Sequence, residues 1–131
     1  MEKLQAVTPG EWHIMELLWD APRTLMELVS LLSEQQGWAK STVTTMVRRM
    51  DSKALITYTI QGRAKLFAPA ISREEAVLQE THSLLHKAYQ GSVGLLVSAM
   101  ANHNALTQKD IEELYAILKE AEAKEERKRL C

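Results

Sequence analysis

The sequence predicts a mainly α-helical protein with one small β-hairpin. Three short helices and the hairpin fill residues 1–70, and a second, helical part fills residues 71–131. Three observations carry that reading. Apolar residues recur at helical spacing in most of the chain, strict alternation appears only around Ile56–Ile60, and positive charge concentrates on the third helix and the hairpin.

Thr8-Pro9-Gly10-Glu11 opens the first helix, with Thr8 as N-cap, Pro9 at the first helical position and Glu11 closing a capping box. Trp12, Ile14, Met15, Leu18 and Trp19 then supply an apolar face as far as Trp19, and Asp20-Ala21-Pro22 ends the helix. Thr24-x-x-Glu27 is a second capping box. It starts a helix carrying Leu25, Leu28, Val29, Leu31 and Leu32 to about Gln35, closed by Gly37. In the third helix Val43, Met46, Val47 and Met50 fall at i, i+3, i+4 and i+7, the spacing of one buried stripe. Ile56, Tyr58 and Ile60 alternate with Thr57 and Thr59, a turn follows at Gln61-Gly62, and Leu66 to Pro69 returns as the second strand.

The face of the third helix opposite its stripe collects Ser41, Thr42, Thr45, Arg48 and Arg49, with no carboxylate before Asp51. Small hydroxyls admit close approach of a partner, and guanidiniums offer forked donors to phosphates and guanine edges. Arg63 and Lys65 sit at the hairpin tip. A basic helix followed at once by a basic-tipped hairpin is the pattern of a winged helix-turn-helix that reads duplex DNA. The candidate DNA-contacting residues are Lys40, Ser41, Thr42, Thr44, Thr45, Arg48, Arg49, Lys53, Arg63 and Lys65.

Net charge is −1, low for a DNA binder until it is mapped. Residues 38–70 hold six bases against Asp51 alone, a local +5, whereas residues 1–37 carry −4 and residues 71–131 carry −2. Phosphate contacts are short-ranged at physiological salt, so the local excess decides. No apolar run approaches the ~18 residues of a membrane span, and the N-terminus lacks a signal-peptide pattern. Cys131 is the single cysteine, so neither a disulfide nor a cysteine metal site forms within one chain. That usage fits a reducing, cytoplasmic setting. Among enzyme motifs there is no phosphate-binding glycine loop, nucleophile elbow or HExxH, so no catalysis and no cofactor are expected.

After Pro69 the chain turns helical. Ser72-x-x-Glu75 caps a helix with Val77, Thr81, Leu84, Leu85 and Ala88 on one face, and Val93 to Met100 is apolar almost all round, loosened by Gly91 and Gly94. Asn102-His103-Asn104 reads as a loop. Thr107-x-x-Asp110 starts a last helix with Ile111, Leu114, Tyr115 and Leu118 together, and Glu120 to Arg129 is a solvated, charge-alternating end. Three helices in about 60 residues bury this much leucine and valine poorly alone. Pairing with a second copy would cover it, with Val77, Leu84, Leu85, Leu95, Leu96, Ile111, Leu114 and Leu118 as the candidate dimerisation residues.

Thr8-x-x-Glu11-Trp12-x-Ile14-Met15-x-Leu17-Leu18-Trp19 resembles the opening motif of the penicillinase-repressor family. Trp38-x-x-Ser41-Thr42-Val43-x-Thr45-x-x-x-Arg49-x-x-x-Lys53 resembles its recognition-helix motif. Gly62-Arg63 with Phe67-x-Pro69 is similar to its wing, and Ser72-x-x-Glu75 to the start of its next helix. The likeness runs over most of residues 8–118 and is specific in the first 75 positions. It implies a winged-helix domain that binds a palindromic operator and a helical domain that makes the homodimer. It also implies a regulatory protease partner, whose cut in the family aligns near Ala99-Met100, although the flanking residues are not kept. Ala39 stands where the family has an N-cap serine, and Ala54 where it has glycine.

Several groups have plainer readings. Trp12, Trp19 and Trp38 lie in phase with apolar faces and are expected in the core rather than as base-stacking platforms. His82 and His86, at i and i+4, lack a third ligand, so no metal site is expected. His13 reads as exposed. A copper-responsive repressor of the CopY type, truncated before its cysteine cluster, and a winged-helix module that docks a protein are the alternatives.

Overall fold

The computed structural model describes residues 7–130. The chain is mostly helical, with one small antiparallel sheet: α1 (Pro9–Asp20), β1 (Arg23–Thr24), α2 (Leu25–Gln36), α3 (Lys40–Ser52), β2 (Ile56–Gln61), β3 (Ala64–Pro69), α4 (Arg73–Ala88), α5 (Val93–Asn102) and α6 (Gln108–Leu130). Cys131 lies outside the described residues. Compactness divides the chain inside α4, with one unit ending at Ser83 and the other beginning at Leu84.

The first unit is a winged helix. Both capping boxes form: the Thr8 and Thr24 hydroxyls accept from the backbone N–H of Glu11 and Glu27, whose carboxylates accept from the cap N–H groups in return. Gly37 closes α2 at φ 69, the left-handed conformation that glycine adopts without a Cβ penalty. Ile14, Met15, Leu18, Leu28, Leu32, Val43, Met50 and Leu55 are essentially sealed from solvent, with Ile56, Phe67 and Ile71 closing the core from the sheet side. All three tryptophans pack against this core while partly exposed.

Two details differ from the sequence reading. The hairpin turn is Gly62-Arg63 rather than Gln61-Gly62, because Gln61 pairs with Ala64 and the second strand begins there. Gly62 has φ 63 at the first central position, the place a type II′ turn gives to glycine. Second, the sheet has three strands in the order β1-β3-β2: Arg23 pairs with Phe67 and Thr24 with Leu66, so the wing is anchored to the residues just before α2.

The second unit begins within α4. Ser92 caps α5 through its hydroxyl, and Thr107 and Asp110 form a reciprocal pair at the start of α6. α6 continues through the charged tail to Leu130. Neither α5 nor α6 buries a side chain. Leu84, Leu95, Ile111 and Leu118 are all exposed, as is Val77 in the first unit. Leu85, Leu96 and Leu114 are half-buried. Among the described residues no helix is long and apolar enough to cross a membrane, and no three His, Cys, Asp or Glu side chains gather as metal ligands.

Candidate nucleic-acid interface

The amphipathic pattern of α3 sets the geometry. Val43, Val47 and Met50 face the core, which turns Lys40, Ser41, Thr42, Thr45, Arg48 and Arg49 to solvent along one side. Thr44 is half-buried, and its hydroxyl donates to the carbonyl of Lys40 at 2.8 Å. At the start of α3, Ala39 provides no side-chain cap, and only its carbonyl is used, accepting from Thr42 and Val43 N–H. Arg63 and Lys65 are exposed on the wing, where the Lys65 ammonium sits 4.4 Å from the centre of the Tyr58 ring. Among the described residues, Lys40, Arg48, Arg49 and Arg63 have no carboxylate partner. Unpaired cations on one surface are the arrangement that neutralises phosphates.

Lys53 departs from the expectation of a DNA contact. Its Nζ donates to both Glu11 oxygens, at 2.8 and 3.0 Å, and the Glu11 side chain is only 4% exposed. Burial pushes the Glu11 carboxyl up, but the hydrogen bonds from Lys53 and from Thr8 N–H outweigh it and hold the group below its ordinary value of 4.5. The lysine side chain, one-quarter exposed, ties the C-terminal end of α3 to the first turn of α1. That ion pair is internal to the winged helix.

Folding also brings together what the sequence leaves far apart. A cleft of about 540 Å³ runs between α3, the wing and the first turn of α2. Arg48, Arg63 and Lys65 line it together with Asp51, over apolar walls from Leu25, Met26, Val47, Tyr58 and Phe67. Thr24, Leu25, Met26 and Tyr58 were not foreseen at this surface. One signal was available: Met26 falls off the apolar stripe of α2 and is 58% exposed.

The profile of the penicillinase-repressor family matches residues 7–120. The chain belongs to that family. The penicillinase repressor of Bacillus licheniformis is 26% identical over 121 residues, spanning 92% of this chain and 94% of that protein. The methicillin resistance regulatory protein MecI of Staphylococcus aureus is 21% identical over 117 residues, 88% of this chain and 95% of its own length. The solution structure of the DNA-binding domain of the repressor BlaI superposes with a TM-score of 0.52 at 24% identity, covering 57% of this chain and 93% of that domain. That likeness speaks to the winged-helix fold of the first unit. Glu11 and Lys53, from two different motifs of the sequence, are partners in one ion pair.

Proposed function

We propose that this chain is a transcriptional repressor that binds a palindromic operator in duplex DNA as a homodimer, released when its helical C-terminal part is cut or loosened. Residues 1–70 form the DNA-binding domain and residues 71–131 the dimerisation domain. The observation that carries the reading is the row of exposed cations without carboxylate partners on α3 and the wing, interleaved with Thr42 and Thr45. A helix with that face enters a major groove, with hydroxyls allowing close approach and Arg49 reaching base edges. The wing bases Arg63 and Lys65 then meet phosphate or the adjacent minor groove.

The dimer follows from exposed apolar surface. Leu95 at 50% and Leu118 at 58% exposure, on helices with no fully buried side chain, are the signature of a surface made for a partner. A second copy fits best, since a two-fold pair of recognition helices reads half-sites about 10 bp apart or a multiple of that. Effector release by a small molecule inside the core of the first unit has little physical support, because that core is closed and apolar, and the cleft between α3 and the wing lies on the face assigned to DNA. The names of relatives, penicillinase repressor and methicillin resistance regulatory protein, support a repressor.

Sequencing the genomic fragments retained by the purified full-length chain tests this directly. Enrichment of an inverted repeat is expected, with affinity falling as salt rises by a log–log slope of roughly 0.9 per phosphate contact. Sedimentation at micromolar concentration should give a dimer. A monomer with salt-insensitive binding, or no enriched duplex, overturns the reading.

A further inference from the structure

One side-chain cluster of the winged helix lies away from α3 and the wing, at the junction with α4. Arg73, the first residue of α4, reaches back to α1 and engages Glu16 with both ends of its guanidinium, at 2.5 and 2.6 Å. The same guanidinium lies 4.8 Å from the centre of the Trp19 ring. Glu16 also accepts from the Trp12 indole N–H at 3.1 Å. The Trp19 indole N–H donates to the carbonyl of Ile71 at 3.0 Å, and the two indoles meet edge to face, 5.6 Å apart. One face of α1 therefore grips the chain at Ile71 and again at Arg73, on either side of the Ser72 cap.

Stability does not explain this investment. The Arg73 and Glu16 side chains are 52% and 42% exposed, and pairs that open to water add little. What a two-pronged, ring-stacked guanidinium supplies is direction, since it holds in one orientation where a lysine ammonium would swivel. The segment it directs, Ala70 to Ser72, is the short passage from β3 into α4.

We infer that Arg73 is a positioning residue for operator binding: with Glu16 and Trp19 it fixes the direction in which α4 leaves the winged helix, and so the half-site spacing that a pair of chains accepts. This rests on the dimeric-repressor reading. Each base pair turns the duplex by roughly 34°. A swivel of that size at the junction shifts the accepted spacing by about one base pair.

The test selects binding sites from a random duplex library with the full-length chain and with Arg73→Lys, Arg73→Met and Glu16→Gln, reading the half-site sequence and the spacing between half-sites. The wild-type chain should enrich one spacing. Arg73→Met and Glu16→Gln should enrich the same half-site over spacings spread by one or two base pairs, with Arg73→Lys intermediate. Affinity for an isolated half-site should stay within about twofold of wild type, as expected for a half-exposed pair. General loss of folding would weaken every site alike and would not broaden spacing. If the variants keep the single wild-type spacing, the positioning role is wrong and the dimer reading stands. If the wild-type chain enriches only isolated half-sites, both are wrong.

Discussion

Arg48 and Arg49 are neighbours in sequence with different surroundings. Arg48 lines the cleft it shares with Arg63 and Lys65, whereas Arg49 stands on the open face beside Thr42 and Thr45. Arg49→Ala should therefore cost about 1–3 kcal/mol of operator binding and relax base preference, as loss of a bidentate base contact does. Arg48→Ala should cost less and leave the preference unchanged, and titration of both variants on matched and mismatched duplexes separates them. Two alanines predict the opposite sign, in stability. Ala39 caps α3 without a side-chain bond, so Ala39→Ser should add about 1 kcal/mol. Ala54 sits at φ 62, so Ala54→Gly should relieve strain and offset the entropy that glycine costs, for a gain of up to about 1 kcal/mol. Urea unfolding at neutral pH reads both. These positions were legible from sequence because caps and turns are local: Thr8, Thr24, Ser72 and Gly37 declare themselves within four residues. The Lys53–Glu11 pair was not legible for the converse reason, since its partners lie 42 residues apart.

That partnership acts at the scale of elements, holding α3 against α1. Removing the ammonium while keeping the stem, as in Lys53→Met, leaves a carboxylate in a nearly closed site. Breaking a fully buried pair costs about 3–5 kcal/mol, and with the lysine one-quarter exposed about 2–3 kcal/mol is expected here. Because the ammonium faces Glu11, the salt slope of DNA binding should not change, whereas Arg63→Ala should lower it by about one contact. A slope reduced by Lys53→Met would return that lysine to the interface. The pair also sets a pH dependence. Glu11 in the folded chain is held below its ordinary 4.5, so its stabilisation is complete above that value and disappears as pH falls through the lowered one. Glu16, held down chiefly by the Arg73 guanidinium, has the same sign. Glu11→Gln should accordingly unfold more easily than wild type at pH 7, with the difference shrinking below about pH 4. Elsewhere at this scale, α1, α2, α3 and α4 were legible because apolar residues recur at helical spacing along them, whereas α5 showed itself as a short segment apolar almost all round. The two-residue β1 was not, because it exists only by pairing with β3 across 42 residues of chain, and the hairpin turn slipped by one because Gln61 still pairs.

For the whole molecule, the contrast between its two parts decides where it opens. The first unit closes a core with eight large side chains sealed from solvent, whereas α5 is a ten-residue helix with none. A helix of that length is marginal in water without packing. Left-handed residues flank it on both sides, Gln90 at φ 52 and Gly91 at φ 80 before it and Asn104 at φ 55 after it. A cut near Ala99-Met100, where the resemblance implies one, would fall inside α5, so a protease would need that helix to unwind or would cut first at the flanking loops. Brief digestion of the full-length chain with a protease of broad specificity should give its first cleavage between Gly91 and Leu106. It should leave the winged helix intact, including the exposed Gly62-Arg63 turn, whose two strands pair with each other directly from Gln61 and Ala64. The cut chain should keep half-site binding yet lose about 10²–10⁴ in affinity for the full palindrome, the gain that a tether provides through effective concentration. First cuts in the wing, or a cut chain that holds the palindrome as tightly as before, would show that release does not run through this segment.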